Sequence, residues 1–512
     1  MRKLLIFAAL LWVAAPGLKA QKGRPGAVAF IISLENVKEK KIAVSMDIPS
    51  LAAGRVRLKM PVWTPGYYQR MDYANQVQDL VVKDASGKTI ATEKTAGNTW
   101  ELQLAKSGRL QVSYQVQTNR AFVATSFLDS ARGYIVPASV CLYIDSQLNR
   151  PAIVQLKLFK EWTGAATGLQ PMPGKSYSYI ASDFDILYDS PLLAGRLESL
   201  NSFEVHGVPH HFIGHKLGDF DRQSFMADLK KMTTAASDLI GEIPFDHYTF
   251  IGIGPGQGGI EHLNSTTISF DGRGLETREG RLRLLNFIAH EYFHHYNAKR
   301  IRPLELGPFD YDRGNRTTQL WIAEGLTVYY EYLILRRAGI TSEAELLQSI
   351  AGNIRAHEAR EGKHFQSLLQ ASYDTWSDGP FGRTGEGAKK TISYYDKGPL
   401  VGMLLDFTIR QQSGNQRSLD DVMRTLYFDY FKAKGRGYTD AEFRLACERA
   451  AGGSLADFFE YIYTTRELDY DSILSFAGLQ LDRSNWTLTR LPSVTDDQEA
   501  IWKDWSRDWQ NR

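Results

Sequence analysis

Three residues near the middle of the chain, His290, Glu291 and His294 in the stretch LLNFIAHEYFHHYNAKRIRP, have the types and spacing to act on water. Side chains four apart on a helix project from one face, so His290 and His294 can offer two imidazole nitrogens to one metal ion. Glu291, beside the first histidine, can take a proton from a water activated there, which is the logic of H-E-x-x-H. The competing reading is a buried helix with two satisfied histidines. Leu284, Leu285, Phe287, Ile288 and Ala289 do predict a mostly buried helix. Only 11 histidines occur in 512 residues, and two of them flanking a glutamate favours the metal site.

A catalytic zinc site takes three protein ligands and keeps one position open. Glu305, Asp310, Asp312, Glu324 and Glu331 are the downstream candidates. Glu324 fits best because it lies in the apolar stretch LWIAEGLTVYYE, where an unpaired carboxylate is costly. Gly325 beside it leaves room for the ion or for a facing helix. Pairing of Glu324 with an arginine is the competing reading. His295 projects about 100° away from His294 on a helix and is expected to be structural. Two histidines and a carboxylate favour a single Zn2+.

The elements that must position these groups divide the chain. At 512 residues two to four domains are expected, and 43% hydrophobic with 23% charged residues describes a globular protein. From 21 to 201 the pattern is β, with alternation in IAVSM (42–46), VRLKM (56–60), WELQL (100–104) and LQVSY (110–114). Short strands with turn signals predict an antiparallel sandwich or saddle. The turn WTPGYY (63–68) could reach toward a site, and packing is the favoured reading. A catalytic unit is expected over 202–340, a helical unit completing the site over 341–478, and a tail over 479–512. Within them Phe225–Ile240 reads as a helix stopped by Gly241, and 247–253 as a strand. The glycine-rich stretch 254–264 lacks the Gly-Lys-Ser/Thr of a phosphate loop, so its glycines fit close approach of a substrate backbone. Helices are predicted at 320–331, 343–359, 397–412 and 454–463, and a loop at 374–387. Ser418 opens a further helix, and Thr439 with Glu442 makes a capping box. Trp502, Trp505 and Trp509 form a stripe expected to dock on the body of the protein. Lys299, Arg300 and Arg302 are placed at the end of the histidine helix, complementing its dipole. Cys141 and Cys447 are expected to be separate buried thiols.

Residues 1–20 read as a secretory signal peptide: Arg2 and Lys3, an apolar run from Leu4 to Ala15, and Leu18-Lys19-Ala20 before Gln21. The run is shorter than the ~20 residues of a spanning helix, so export to the periplasm or exterior without stable membrane insertion is expected. A net charge of +2 gives no support to nucleic-acid binding.

Four segments in order, GGIEHLNSTT, HEYFHHYNAKRIRP, LWIAEGLTVYYEYL and SYYDKGPLVGMLLDFTIR, resemble the glycyl aminopeptidase family of zinc metallopeptidases, in the gluzincin group. The resemblance runs from the WTPGYY turn to DSILSFAGLQL. It implies an α+β multidomain fold: an N-terminal β domain, a thermolysin-like catalytic domain and a C-terminal helical domain. It implies zinc ligands His290, His294 and Glu324, with Glu291 as general base. Gly258, Gly259 and Glu261 are similar to the exopeptidase motif of larger aminopeptidases, in which the glutamate captures the substrate's α-ammonium. Tyr395 matches the tyrosine that donates to the tetrahedral oxyanion, with Tyr394 as its alternative. Ile260 and His262 depart from that motif. Val328 stands where thermolysin-like enzymes often carry an aspartate that orients a histidine, so Thr327 or Asn297 is expected to do so. Many members end in a PDZ domain; about 30 residues follow Gly478, too few for one.

The expectation is therefore an exported zinc aminopeptidase that removes small N-terminal residues, glycine or alanine, from peptides. A zinc endopeptidase of the same fold and a non-catalytic peptide-binding protein are the alternatives.

Overall fold

A computed structural model describes residues 26–509. The proposed signal peptide and its cleavage site before Gln21 lie outside the described residues. Among the described residues no helix is long and apolar enough to cross a membrane.

The N-terminal region is β, as expected, in an eight-stranded sheet and two four-stranded sheets. Lys41–Leu51 shows why: buried Ile42, Val44, Met46 and Ile48 alternate with half-buried or exposed neighbours, the period-2 pattern of a sheet with one face on a core. This strand pairs antiparallel with Val28–Ser33 and with Gly108–Gln117. One pair departs from the antiparallel expectation: Val28–Ser33 runs parallel to Ala152–Lys157, joined across the chain by the long intervening excursion.

Beyond Leu200 the chain forms a mixed sheet with helices against it. Val208–Gly214, Tyr248–Gly252 and Ser265–Phe270 run parallel. Gly254–Glu261 closes the edge antiparallel to Ser265–Phe270, with Ile260 opposite Thr267 and Glu261 opposite Thr266. The glycine-rich stretch is thus an edge strand, its register shifted between Gly254 and Gly259. Helix Arg222–Ile240 is capped by Asp221 and stopped by Gly241 in a left-handed conformation.

One hydrophobic core runs from Leu200 through the helices Arg278–Phe293, Leu326–Arg337, Glu343–Glu358 and Tyr394–Gln412 to Trp505. Residues 479–509 are structured: Leu479–Asp482 pairs with Thr487–Arg490, and helix Asp496–Trp505 buries Trp502 and Trp505. Trp505 Nε1 donates to the Tyr329 hydroxyl (2.8 Å), so the stripe docks as expected. The expected loop at 374–387 holds a short helix, Thr375–Asp378, and the start of a 3-10 segment, Gly385–Lys390. Cys141 and Cys447 are free and buried, one in each of the two cores.

Candidate active site

The histidine helix is Arg278–Phe293, begun by Thr277, whose hydroxyl accepts from Gly280 N–H. His290 lies in its last turn and His294 caps it, both buried. Glu324 lies in a π-helical turn, Trp321–Gly325, that leads into helix Leu326–Arg337. Such a turn widens the helix by one residue and recurs at functional sites. Gly325 leaves room for the facing helix: a Cβ there would lie 2.7 Å from Cα of Gly398, and one on Gly398 would lie 2.6 Å from Cα of Gly325. The two glycines let the backbones cross closely, which brings Glu324 against Tyr395 on the other helix.

The donor atoms converge. His290 Nε2 and His294 Nε2 lie 2.9 Å apart, and Glu324 Oε2 lies 3.5 and 3.2 Å from them. A tetrahedral ion with bonds of about 2.0–2.1 Å needs its donors roughly 3.3–3.4 Å apart, so these residues fit one zinc-sized ion. They form the group that could hold a metal among the described residues. Burial opposes charge on both imidazoles, but the Glu324 carboxylate, with Glu331 at His290, raises both above the ordinary histidine range. Burial likewise opposes ionisation of Glu324, and the two histidines outweigh it and hold its carboxyl low.

The far nitrogen of each histidine is occupied, which turns each Nε2 inward. His294 Nδ1 donates to the Asn297 carbonyl (2.8 Å). His290 Nδ1 donates to Glu331 Oε2 (2.9 Å). Asn297 thus acts as expected, through its backbone, while its side chain donates to Thr327 Oγ1 (3.0 Å) and Ile322 O (2.8 Å). The role of Glu331 was missed: it stood only among the candidate ligands. Its signal was present, since it lies seven residues, two helical turns, after Glu324. Glu305, Asp310 and Asp312 lie elsewhere; Asp312 accepts from Asn98, Tyr143 and Lys59. His295 is structural: its Nδ1 meets the Tyr292 carbonyl, and its ring packs among Phe245, Tyr248 and Tyr292.

Burial raises the Glu291 carboxyl to about 7, a value suited to taking and returning a proton near neutrality. One of its oxygens, Oε2, is buried without a protein partner. Gly259 on the edge strand faces the other, since a Cβ there would lie 2.6 Å from Glu291 Oε1. Tyr395 hydroxyl donates to Glu324 Oε2 (2.9 Å), while Tyr394 hydroxyl turns away to Thr375 Oγ1 (3.0 Å). Of the two tyrosines, Tyr395 faces the metal ligands.

A cavity of about 1180 Å3 opens over these groups, walled by His290, Glu291, Tyr395, Gly258 and Gly259. The WTPGYY turn does more than pack. Trp63 is buried beside Phe309, Tyr311 and Trp376, whereas Gly66, Tyr67 and Tyr68 line the cavity. Tyr68 was not singled out from sequence; burial, then the nearby Glu261 and Glu324, push its phenol well up. Glu261 does not itself line the cavity. Its carboxylate lies behind Gly66, where a Cβ would come within 2.8 Å of Oε2. The basic run after the histidines is turned inward: Lys299 and Arg300 are buried. Arg300 donates to the carbonyls of His295, Leu263 and Pro244, meeting the helix-end expectation in part. Lys299 instead pairs with carboxylates.

Residues 29–196 match the Peptidase M61 N-terminal domain, and residues 283–401 match M61 glycyl aminopeptidase. No curated protein matches the chain. Among solved structures, an aminopeptidase N family protein from Idiomarina loihiensis is similar at 27% identity and TM-score 0.83, over 89% of this chain and 79% of that one. An M1 zinc metallopeptidase from Deinococcus radiodurans, bound to a Tyr-Ser-Ala substrate, shares the fold at 12% identity and TM-score 0.54, over 87% of this chain and 95% of that one. A two-domain M1 zinc metallopeptidase bound to L-tryptophan does so at 13% and 0.54, over 88% and 96%. The two family matches together span more than half of the sequence, one on the β region and one on the histidine helix and its partners, and by them the chain belongs to the M61 peptidase family.

Proposed function

We propose that this peptidase is an exported, zinc-dependent aminopeptidase that hydrolyses the first peptide bond of peptides with a small N-terminal residue, glycine or alanine. The observation that carries the chemistry is the convergence of His290, His294 and Glu324 on one point, with Glu291 and Tyr395 beside it at the floor of a cavity. Zinc held by the three ligands would supply Lewis acidity to water and to the scissile carbonyl. Glu291 takes the proton of the attacking water and returns it to the departing amine, a double duty suited to its raised pKa. Tyr395 swings its O–H from Glu324 toward the carbonyl oxygen, where negative charge develops in the transition state. Gly258 and Gly259 on the edge strand offer backbone to an extended substrate. Glu261, at the end of that strand, receives the substrate's α-ammonium. The preference for small residues rests on the family's description as glycyl aminopeptidases, and export rests on the pattern of residues 1–20.

An endopeptidase with the same zinc chemistry is the second reading. It is favoured by one observation, the position of Glu261 behind the cavity wall with Lys299 already near it. Peptides that differ only in N-acetylation separate the two. The aminopeptidase cleaves the free amine and leaves the acetylated peptide intact; equal rates on both would remove the reading and the role of Glu261 with it.

A further inference from the structure

Behind the cleft wall at Gly66 lies a buried group of charges that the zinc chemistry does not use. Lys299, five residues beyond His294, sends its ammonium between two carboxylates. It donates to Asp189 Oδ1 at 2.8 Å and stands 3.6 Å from Glu261 Oε1. All three side chains are buried, and Glu261 Oε1 has no hydrogen-bond partner. Asp189 is itself fixed, since its Oδ2 accepts from the backbone N–H of Leu263 (2.7 Å), and His262 Nδ1 lies 3.4 Å from Oδ1. It follows the short helix Phe184–Tyr188, within the stretch matched by the N-terminal family domain.

A buried ammonium settles on the carboxylate that gives it the best geometry. Here that carboxylate is Asp189, and the consequence falls on Glu261. At 3.6 Å Lys299 is too far from Glu261 Oε1 to occupy that oxygen by a hydrogen bond. A lone pair on Glu261 therefore remains for another donor. We propose that Asp189 is a positioning residue for exopeptidase action: it holds Lys299 off Glu261, so that the α-ammonium of the substrate can take the place Lys299 would otherwise fill. The β region thereby sets which end of a peptide is accepted. This inference rests on the reading of Glu261 as the ammonium receptor.

The test measures KM and kcat of the zinc-loaded protein on a peptide with a free N-terminal glycine. KM is independent of the fraction of protein that is folded, so a partly unfolded variant still reports. In Asp189→Asn, Lys299 loses its charged anchor and closes on Glu261. KM is expected to rise about tenfold or more, the effect of one charge-assisted hydrogen bond, with kcat near that of the parent. Adding Lys299→Met to that variant removes the competing cation and should bring KM back toward the parent value, which loss of packing alone would not do. An unchanged KM in Asp189→Asn, or a double variant as impaired as the single one, overturns the proposal. Glu261→Gln separates this from the underlying reading. If it leaves KM unchanged, the ammonium receptor and the tether both fail; if it raises KM while Asp189→Asn does not, the tether alone fails.

Discussion

The two groups of buried charges at and behind the cleft are built in opposite ways. At the metal end every imidazole nitrogen is committed: Nδ1 of each histidine to a carbonyl or carboxylate, Nε2 of each toward Glu324. The ligands come from two helical segments whose spacing is set by helix geometry. Behind the cleft Glu261, Lys299 and Asp189 come from an edge strand, a turn and the β region, and Glu261 Oε1 has no hydrogen-bond partner. The first arrangement fixes donors so that an ion is held in one geometry. The second keeps an acceptor open, which a site needs if a transient ligand is to enter and leave.

The largest effect expected is at the metal end. Chelation should abolish peptide hydrolysis, and zinc should restore it; activity that survives a chelator, with metal content measured as nil, would break the comparison outright. Next, Glu291→Gln should lower kcat by about 10²–10⁴-fold, the range for a lost general base, while zinc content stays at the parent level. Tyr395→Phe should lower kcat by about 10²–10³-fold with little change in KM, because its donor acts where charge develops in the transition state. Tyr394→Phe serves as the reference and should be near neutral in rate, since Tyr394 bonds Thr375. Glu331→Gln should weaken zinc binding about 10–100-fold, read by competition with a chromophoric chelator, because it orients His290 from behind.

The smallest effect belongs to the Asp189–Lys299 pair and is read in stability. Burial opposes ionisation of Asp189, but Lys299 and His262 outweigh it and hold its carboxyl at about 2, below the ordinary 3.8. A depressed carboxyl pKa contributes stability that is present above the unfolded value and lost as pH falls through the folded one. The thermal midpoint should therefore drop between about pH 4 and 2, with about 2 kcal/mol from this group. Asp189→Asn, already less stable, should show a shallower drop over that window; an identical acid slope would show that the pair contributes nothing there.

Much of the site could be read from residue order because helices convert spacing into direction. His290 and His294 share a face by their separation of four, and the apolar surroundings of Glu324 marked it as a partnered carboxylate. The role of Glu331 lay in the same periodicity and was missed because a carboxylate near a metal suggests a ligand before it suggests a support. That the glycine stretch 254–261 is a strand was not legible, because an edge strand needs only one hydrogen-bonding neighbour, and that neighbour, Ser265–Phe270, is not visible in its composition. Trp63 and Tyr68 lie in one turn, yet one is core and the other cavity wall.

The sequence by itself placed a candidate base between two histidines and a carboxylate in an apolar helix, and its resemblance to the family pointed to an aromatic pair just before another helix. Local geometry, 3.6 residues per turn, is sufficient to orient such groups. Only the tertiary structure decided that Tyr395 rather than Tyr394 faces Glu324, through the Gly325 and Gly398 crossing, and that Lys299 turns toward Asp189 before Glu261. Those outcomes depend on contacts between residues 71 to 110 positions apart, and no periodicity in a chain carries information about which distant segment will supply the partner.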